Sequence, residues 1–203
     1  VLGRARLDRR LVGREDLEEH LGAPVLATVP RARRHRPGAL PVTVEHPDSR
    51  ASDAYRALRV RLLAMAGRRP IKTVLVASPA GDMGTAAVAA NLAASLSQVG
   101  MEVALVSAGA GAEDSAGSLP RDEMRELIAR RGRDSDFVVV EAPPVLDTAE
   151  CLALAPLVDA VVVVAAAGSS TRDDIALARQ QLDEVGAQVV GGVLANARTL
   201  GPI

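Results

Sequence analysis

From Ser52 onward the chain alternates short, unbroken runs of Val, Leu and Ala with longer segments of helical character. No other feature constrains the fold as tightly. Strands are predicted at 73–77, 102–107, 137–141, 160–165 and 189–194, and helices at 53–66, 85–99, 121–131, 148–155 and 171–185. A strand that is apolar at every position has no side to turn to water, so it belongs in a parallel sheet covered by helices on both faces. The expected class is α/β. Ligands of such sheets bind beyond the carboxyl ends of the strands.

The first fifty residues read differently and are expected to form a separate, linker-like unit, with the main domain over 51–203. Arg4, Arg6, Arg9 and Arg10 form a basic cluster opposed only by Asp8. An acidic helix follows between Gly13 and Gly22, with Leu17 and Leu21 on one face and Gly22 placed to end it. Val25 to Val29 is predicted as a short edge strand closed by Pro30. The Arg- and Pro-rich stretch from Arg31 to Pro47 is expected to be a mobile loop. The arginines suit either a solvated face or a basic segment beside a membrane span lying before Val1. Ser52 is the predicted cap of the helix that follows, with Asp53 near its positive end.

Composition narrows the chemistry. The chain has 203 residues, with 24 basic against 25 acidic side chains, and of the basic ones only Lys72 is a lysine. A net charge near zero gives no reason to expect nucleic acid as a partner. One Tyr, one Phe and no Trp leave no stacking platform for single-stranded nucleic acid. The single Cys151 excludes an intrachain disulfide and suits a reducing cytoplasm, where it reads as a small buried hydrophobe. The longest apolar run, Ala160 to Ala167, is far short of the roughly 20 residues of a bilayer span, so neither a transmembrane helix nor a signal peptide is expected within the sequence. His20, His35 and His46 lie at no metal-ligand spacing, and no metal site is predicted. Gly109-Ala-Gly111 after a strand has Asp114 where a dinucleotide fingerprint needs its third glycine.

The loop between the first core strand and its helix is where a phosphate would bind. Gly81 and Gly84 let the backbone curl so that helix-start amides face an anion. A nucleoside-triphosphatase also needs a lysine after the last glycine and then a hydroxyl for magnesium. The sequence reads Ala80-Gly-Asp-Met-Gly-Thr-Ala-Ala87, with Thr85 and Ala86 at those two positions and Asp82 adding negative charge. Lys72 cannot substitute. It precedes the strand, and five residues at roughly 3.3 Å each put it about 17 Å from the loop.

Five segments in order resemble the cytoplasmic kinase domain of the bacterial tyrosine kinases (BY-kinases), P-loop proteins that partner polysaccharide chain-length determinants. They are 14–30, which is similar to the linker after the family's second membrane helix; Asp53-Ala-Tyr-Arg-Ala-Leu-Arg59; 89–96 after the loop; Phe137-Val-Val-Val-Glu-Ala-Pro-Pro-Val-Leu146; and Gly191-Gly-Val-Leu-Ala-Asn196. The resemblance spans about Leu7 to Asn196 and implies a three-layer, P-loop NTPase-like fold. It also implies nucleotide contacts at Gly81, Gly84, Thr85 and Asn196, and a ring-like homo-oligomer built through Asp53, Arg56 and Arg59. Those three residues equally suit ordinary surface pairs along a helix.

The departures from the family pattern fall on the catalytic positions. Thr85 and Ala86 replace the lysine and hydroxyl, Ser107 stands for a magnesium-holding Asp, and Glu141 stands for the Walker B Asp. Glu141 also suits a strand-end carboxylate bonded to loop amides. The stretch between Ser107 and Asp136 is short for the family, and the only tyrosine is Tyr55. Losing one electrostatic stabiliser of a transition state costs about 3–4 kcal/mol, and phosphoryl transfer rests almost wholly on such groups. The expectation is therefore a non-catalytic, pseudokinase-like domain at the inner face of the membrane, in which ATP and Mg²⁺ would bind only residually. It would regulate capsular or exopolysaccharide export by assembling with itself and with a membrane-embedded chain-length-determinant protein. The alternative is a divergent ATP-dependent tyrosine autokinase of the same system; a partition-type ATPase switch lacks both of its lysines.

Overall fold

A computed structural model describes residues 9–30, 40–81, 83–108 and 121–197. Six parallel strands form one sheet: β1 (Val25–Pro30), β2 (Thr73–Ala77), β3 (Val103–Ser107), β4 (Phe137–Glu141), β5 (Ala160–Ala166) and β6 (Val189–Ala197). Their spatial order is β1-β6-β5-β2-β4-β3. All seven residues of β5 are buried, as the continuous apolar pattern requires.

Helices cover both faces. On one lie α1 (Arg14–Leu21), α5 (Arg121–Arg133), α6 (Ala149–Leu154) and α7 (Arg172–Glu184), whose apolar residues join one core cluster. On the other lie α3 (Arg50–Ala66) and α4 (Thr85–Ser97), which supply Tyr55, Leu58, Leu62, Val88, Leu92 and Leu96 to the second cluster. The three-layer α/β arrangement is the one the sequence predicts. A short α2 (Val42–Glu45) docks on α4, and a 3-10 turn (Ala155–Leu157) extends α6.

Three sequence expectations need correction. The helix predicted from Asp53 begins at Arg50, and its cap is Ser49, whose Oγ accepts the Ser52 amide at 3.2 Å. Ser52 is buried, and its hydroxyl donates to the carbonyls of Val42 and His46. The region predicted as a mobile loop contains α2. Asn91 Oδ1 accepts the Thr43 amide at 3.1 Å, Gln98 Nε2 donates to the Thr43 carbonyl at 2.8 Å, and Thr43 is buried. The strand predicted to end at Leu194 runs on to Ala197. The expectations for residues 1–8, 31–39, Asp82, 109–120 and 198–203 lie outside the described residues.

The amino-terminal elements are tied into this sheet. Strand β1 occupies an edge beside β6, and α1 packs on α7 and β6. Their close approach depends on Gly191 and Gly192. A Cβ at Gly191 would lie 2.5 Å from the Pro24 carbonyl oxygen, and one at Gly192 would meet Leu21 at 3.0 Å. Arg172 Nε donates to Asp16 at 2.7 Å, binding α7 to α1. Gly22 ends α1 in the left-handed conformation, φ 63°.

Asp159 closes the sheet's amino end. Its Oδ2 accepts the Lys72 and Thr73 amides, each at 2.8 Å, and Thr73 Oγ1 at 2.7 Å. Burial alone would raise its carboxyl pKa, but these hydrogen bonds outweigh it and hold the group below the ordinary carboxylate value. A depressed folded-state pKa means that the stabilisation is present above the unfolded value near 4 and is lost as pH falls through the folded value. Asp159→Asn is accordingly expected to lower the melting temperature at pH 7, with the gap to wild type closing below about pH 4. Gly191→Ala places a Cβ against backbone and is expected to cost about 3 kcal/mol by urea denaturation.

Candidate functional site

Strand β2 lies between β5 and β4, and the chain passes from β4 on one side of it to β5 on the other. That reversal puts the crevice of the sheet at the carboxyl end of β2, where the loop from Ser78 leads into α4. Gly81 (φ 58°) and Gly84 (φ 84°) both adopt left-handed backbone there, which a residue with a Cβ disfavours. The helix start and the glycines thus have the form of a phosphate loop, and Gly84 is the N-cap of α4.

The polar groups around that loop are directed at one another. Ser78 Oγ donates to the Gly81 carbonyl at 2.6 Å. The Gly81 amide donates to a carboxylate, Asp147 Oδ2, at 2.9 Å. The turn after β4 runs along the loop, with the Val145 amide on the Ser78 carbonyl at 2.9 Å and the Leu146 amide on Pro79 at 3.0 Å. Parallel pairing sets Glu141 beside Val76 of β2 on one side and Ser107 of β3 on the other. The Ser107 hydroxyl donates to Glu141 Oε2.

Of the positions at which the resemblance would put catalytic groups, Ser107 and Glu141 are joined by this hydrogen bond. Thr85 is buried and too short to reach over a phosphate, and the neighbouring Ala86 is exposed and carries no oxygen. Lys72 stands at the amino end of β2, opposite the loop. The resemblance implies a magnesium nucleotide here, and the donor set does not fit one. Ser107 and Glu141 satisfy each other, a carboxylate already occupies the Gly81 amide, and among the described residues no cation bonds to the groups that line the loop.

Asn196, next to last in β6, lies toward the same end of the sheet, two strand spacings from β2, or about 10 Å. It is exposed, and it is the only non-glycine among the described residues with positive φ, at 56°. Asn tolerates that conformation better than most residues, so local geometry alone accounts for its presence.

The three residues of the oligomer-like helix divide. Asp53 and Arg56 pair within α3 at 3.1 Å, and both remain accessible. Arg59 instead crosses to α4, donating to the Ser95 carbonyl at 2.6 Å and to its Oγ at 3.3 Å. Tyr55, between them, is 4% exposed, and burial pushes its hydroxyl pKa well up. Cys151 is fully buried and its thiol is pushed up to about 12. Asp16, Glu19 and His20 cluster on α1, but the Asp16 carboxylate is engaged by Arg172 and by the Val12 amide.

Sequence reasoning missed Asp147. Its signal was a carboxylate one turn beyond the Pro143-Pro144 pair, yet only the folded turn shows that it reaches the loop.

No family model matches the chain. It is 25% identical to the tyrosine-protein kinase Etk of Escherichia coli K12 over 259 aligned positions, covering 96% of this chain and 36% of that protein. The chain thus spans about a third of the length of the curated relatives it matches. The alignment is longer than the 203-residue chain itself, so the relative carries sequence that this chain lacks. Among solved structures, the kinase domain of the E. coli tyrosine kinase ETK superposes with a TM-score of 0.81 at 23% identity, covering 95% of this chain and 97% of that one. The chimerical protein CapA2B2 gives 0.77 at 18% identity, covering 92% and 100%. The BceF tyrosine kinase domain gives 0.75 at 16% identity, covering 92% and 98%.

The Asp147 carboxylate on the Gly81 amide opposes any anion at the loop. A nearby unit charge at the surface is worth up to about 1 kcal/mol at low ionic strength. Asp147→Ala is expected to strengthen binding of inorganic pyrophosphate roughly two- to fivefold by calorimetry in low salt.

Proposed function

Starting from a chain related to the bacterial tyrosine kinases and folded as their cytoplasmic kinase domain, we propose that it serves as a non-catalytic assembly domain. It works at the cytoplasmic face of the membrane, beside a chain-length-determinant protein, in the export of capsular or exopolysaccharide. The observation that carries this reading is the hydrogen bond from Ser107 to Glu141. Two side chains at the positions where the family holds magnesium here close on each other.

Charge supports the same reading. Phosphoryl transfer depends on cations aligned with the transferring group. Here the loop faces Asp147, and the chain's one lysine lies at the far end of β2. The single tyrosine is buried in the core between α3 and the sheet, where no active site could reach it in the folded state. What persists is the scaffold together with the accessible Asp53–Arg56 pair on α3, which suits contact between subunits. No helix among the described residues is long and apolar enough to cross a membrane, so membrane placement rests on a partner or on chain outside them. The amino-terminal segment that carries α1 and β1, although built into the sheet, is the juxtamembrane-like part of this arrangement.

A tyrosine kinase with altered motifs is the second reading, favoured by the names of the relatives and by the retained glycine loop. Magnesium-dependent ATP hydrolysis separates the two. Wild type is expected to turn over no faster than Glu141→Ala. Hydrolysis ten or more times that of the variant would establish the kinase reading instead.

A further inference from the structure

The two edges of the sheet are treated differently. At one edge, β1 follows Pro24 and ends on Pro30, is covered by α3, and has the Leu26 carbonyl capped by the Arg61 guanidinium. These are the devices by which proteins guard an edge against a foreign strand. At the other edge, α4 and α5 pack on β3, but among the described residues no proline and no guanidinium guards its outer side. Val103–Ser107 contains no charge and no proline, and among the described residues it pairs with β4 alone.

The pairing with β4 decides which backbone groups remain. The Phe137 amide donates to the Glu102 carbonyl, and the Ala108 amide donates to the Glu141 carbonyl. In a parallel ladder the bonds to one neighbour come from alternate residues. Glu102, Ala104, Val106 and Ala108 thus face β4, and Val103, Leu105 and Ser107 turn their amides and carbonyls outward. Leu105, at the centre, is 48% exposed, and Val99, in the turn that closes α4, is 50% exposed. Val103 packs on the α3–α4 side of the sheet, and by alternation Leu105 shares that side.

We propose that β3 is an interface with a second copy of this chain, paired antiparallel about a two-fold axis through Leu105. The outward groups are self-complementary in that register. Leu105 opposes its own mate, Val103 opposes Ser107, and each opposed pair exchanges two hydrogen bonds, about six in all. The single flanking charge, Glu102, falls opposite Ala108, so the symmetric register brings no like charges together. An uncharged strand offers no charge pattern by which a different protein would be selected, whereas its own copy matches it residue for residue. The result is one continuous sheet across two subunits. Its axis lies two residues from Ser107, so the self-closed site sits at the rim of the interface. This names one surface of the assembly proposed above and rests on that reading only for its biological purpose.

Cys151 is fully buried, so an introduced surface cysteine reports alone. Leu105→Cys is expected to cross-link to dimer with a short bis-maleimide at about 50 µM protein, at least fivefold more than Val60→Cys on the exposed face of α3. Leu105→Lys is expected to abolish the dimer in sedimentation equilibrium with an unchanged melting temperature. Equal cross-linking of the two cysteine variants overturns the proposal, as does an assembly that persists in Leu105→Lys. If that assembly is instead lost in Arg56→Glu, edge pairing fails and the assembly reading stands. A wild type that stays monomeric to several hundred micromolar overturns both.

Discussion

The register of three neighbouring strands governs the carboxyl end of this sheet. Glu141 pairs laterally with Val76 on one side and with Ser107 on the other. Strand β2 delivers the glycine loop, β4 delivers the carboxylate and the Pro-Pro turn, and β3 delivers the hydroxyl. Because β2 and β4 are buried on both faces, a slip in either would move polar ends into the core. The site is therefore assembled by the apolar packing beneath it, whatever residues stand at its tips. That separation lets the tips change while the fold stays.

Much of the architecture was legible because burial on both faces leaves a plain mark in sequence. The runs at 73–77, 137–141 and 160–165 could hardly be anything but parallel core strands. The loop was equally legible, since glycines at 81 and 84 between strand and helix have few other uses. Interactions that depend on where a side chain lands were not legible. Ser49 and Ser52 are equivalent as caps by residue type, and only the docking of α2 makes Ser52 a buried donor to Val42 and His46. Thr43 sits in a stretch that reads as loop, yet Asn91, forty-eight residues away, anchors it. Asp147 reads as a turn carboxylate until the turn folds back on Gly81.

The excess of arginine over lysine acquires a structural explanation. Beyond its ion pairs, this chain uses guanidinium groups to satisfy carbonyl oxygens between layers. Arg59 reaches Ser95 on α4, Arg61 reaches Leu26 on the edge strand, Arg179 reaches Leu21 at the end of α1, and Arg10 reaches Gly168. A planar fork with five donors can hold a carbonyl and a second acceptor together, as Arg179 does with Leu21 and Asp183. Lysine, a compact and strongly hydrated charge, serves such contacts less well. With few aromatic side chains to fill space between layers, these polar ties supply definition that the small Val and Ala core lacks on its own.

The same economy governs the glycine loop after β2. Polar groups arranged for a ligand are a liability when they are left unpaired, since each buried donor or acceptor without a partner costs about 1–3 kcal/mol. Here the liability is removed locally: Ser78 binds Gly81, Asp147 takes the Gly81 amide, and Ser107 and Glu141 bind each other. A loop whose polar groups are paired within the chain in this way gains stability. Closure of the loop on its own side chains is therefore a stabilising feature of this domain.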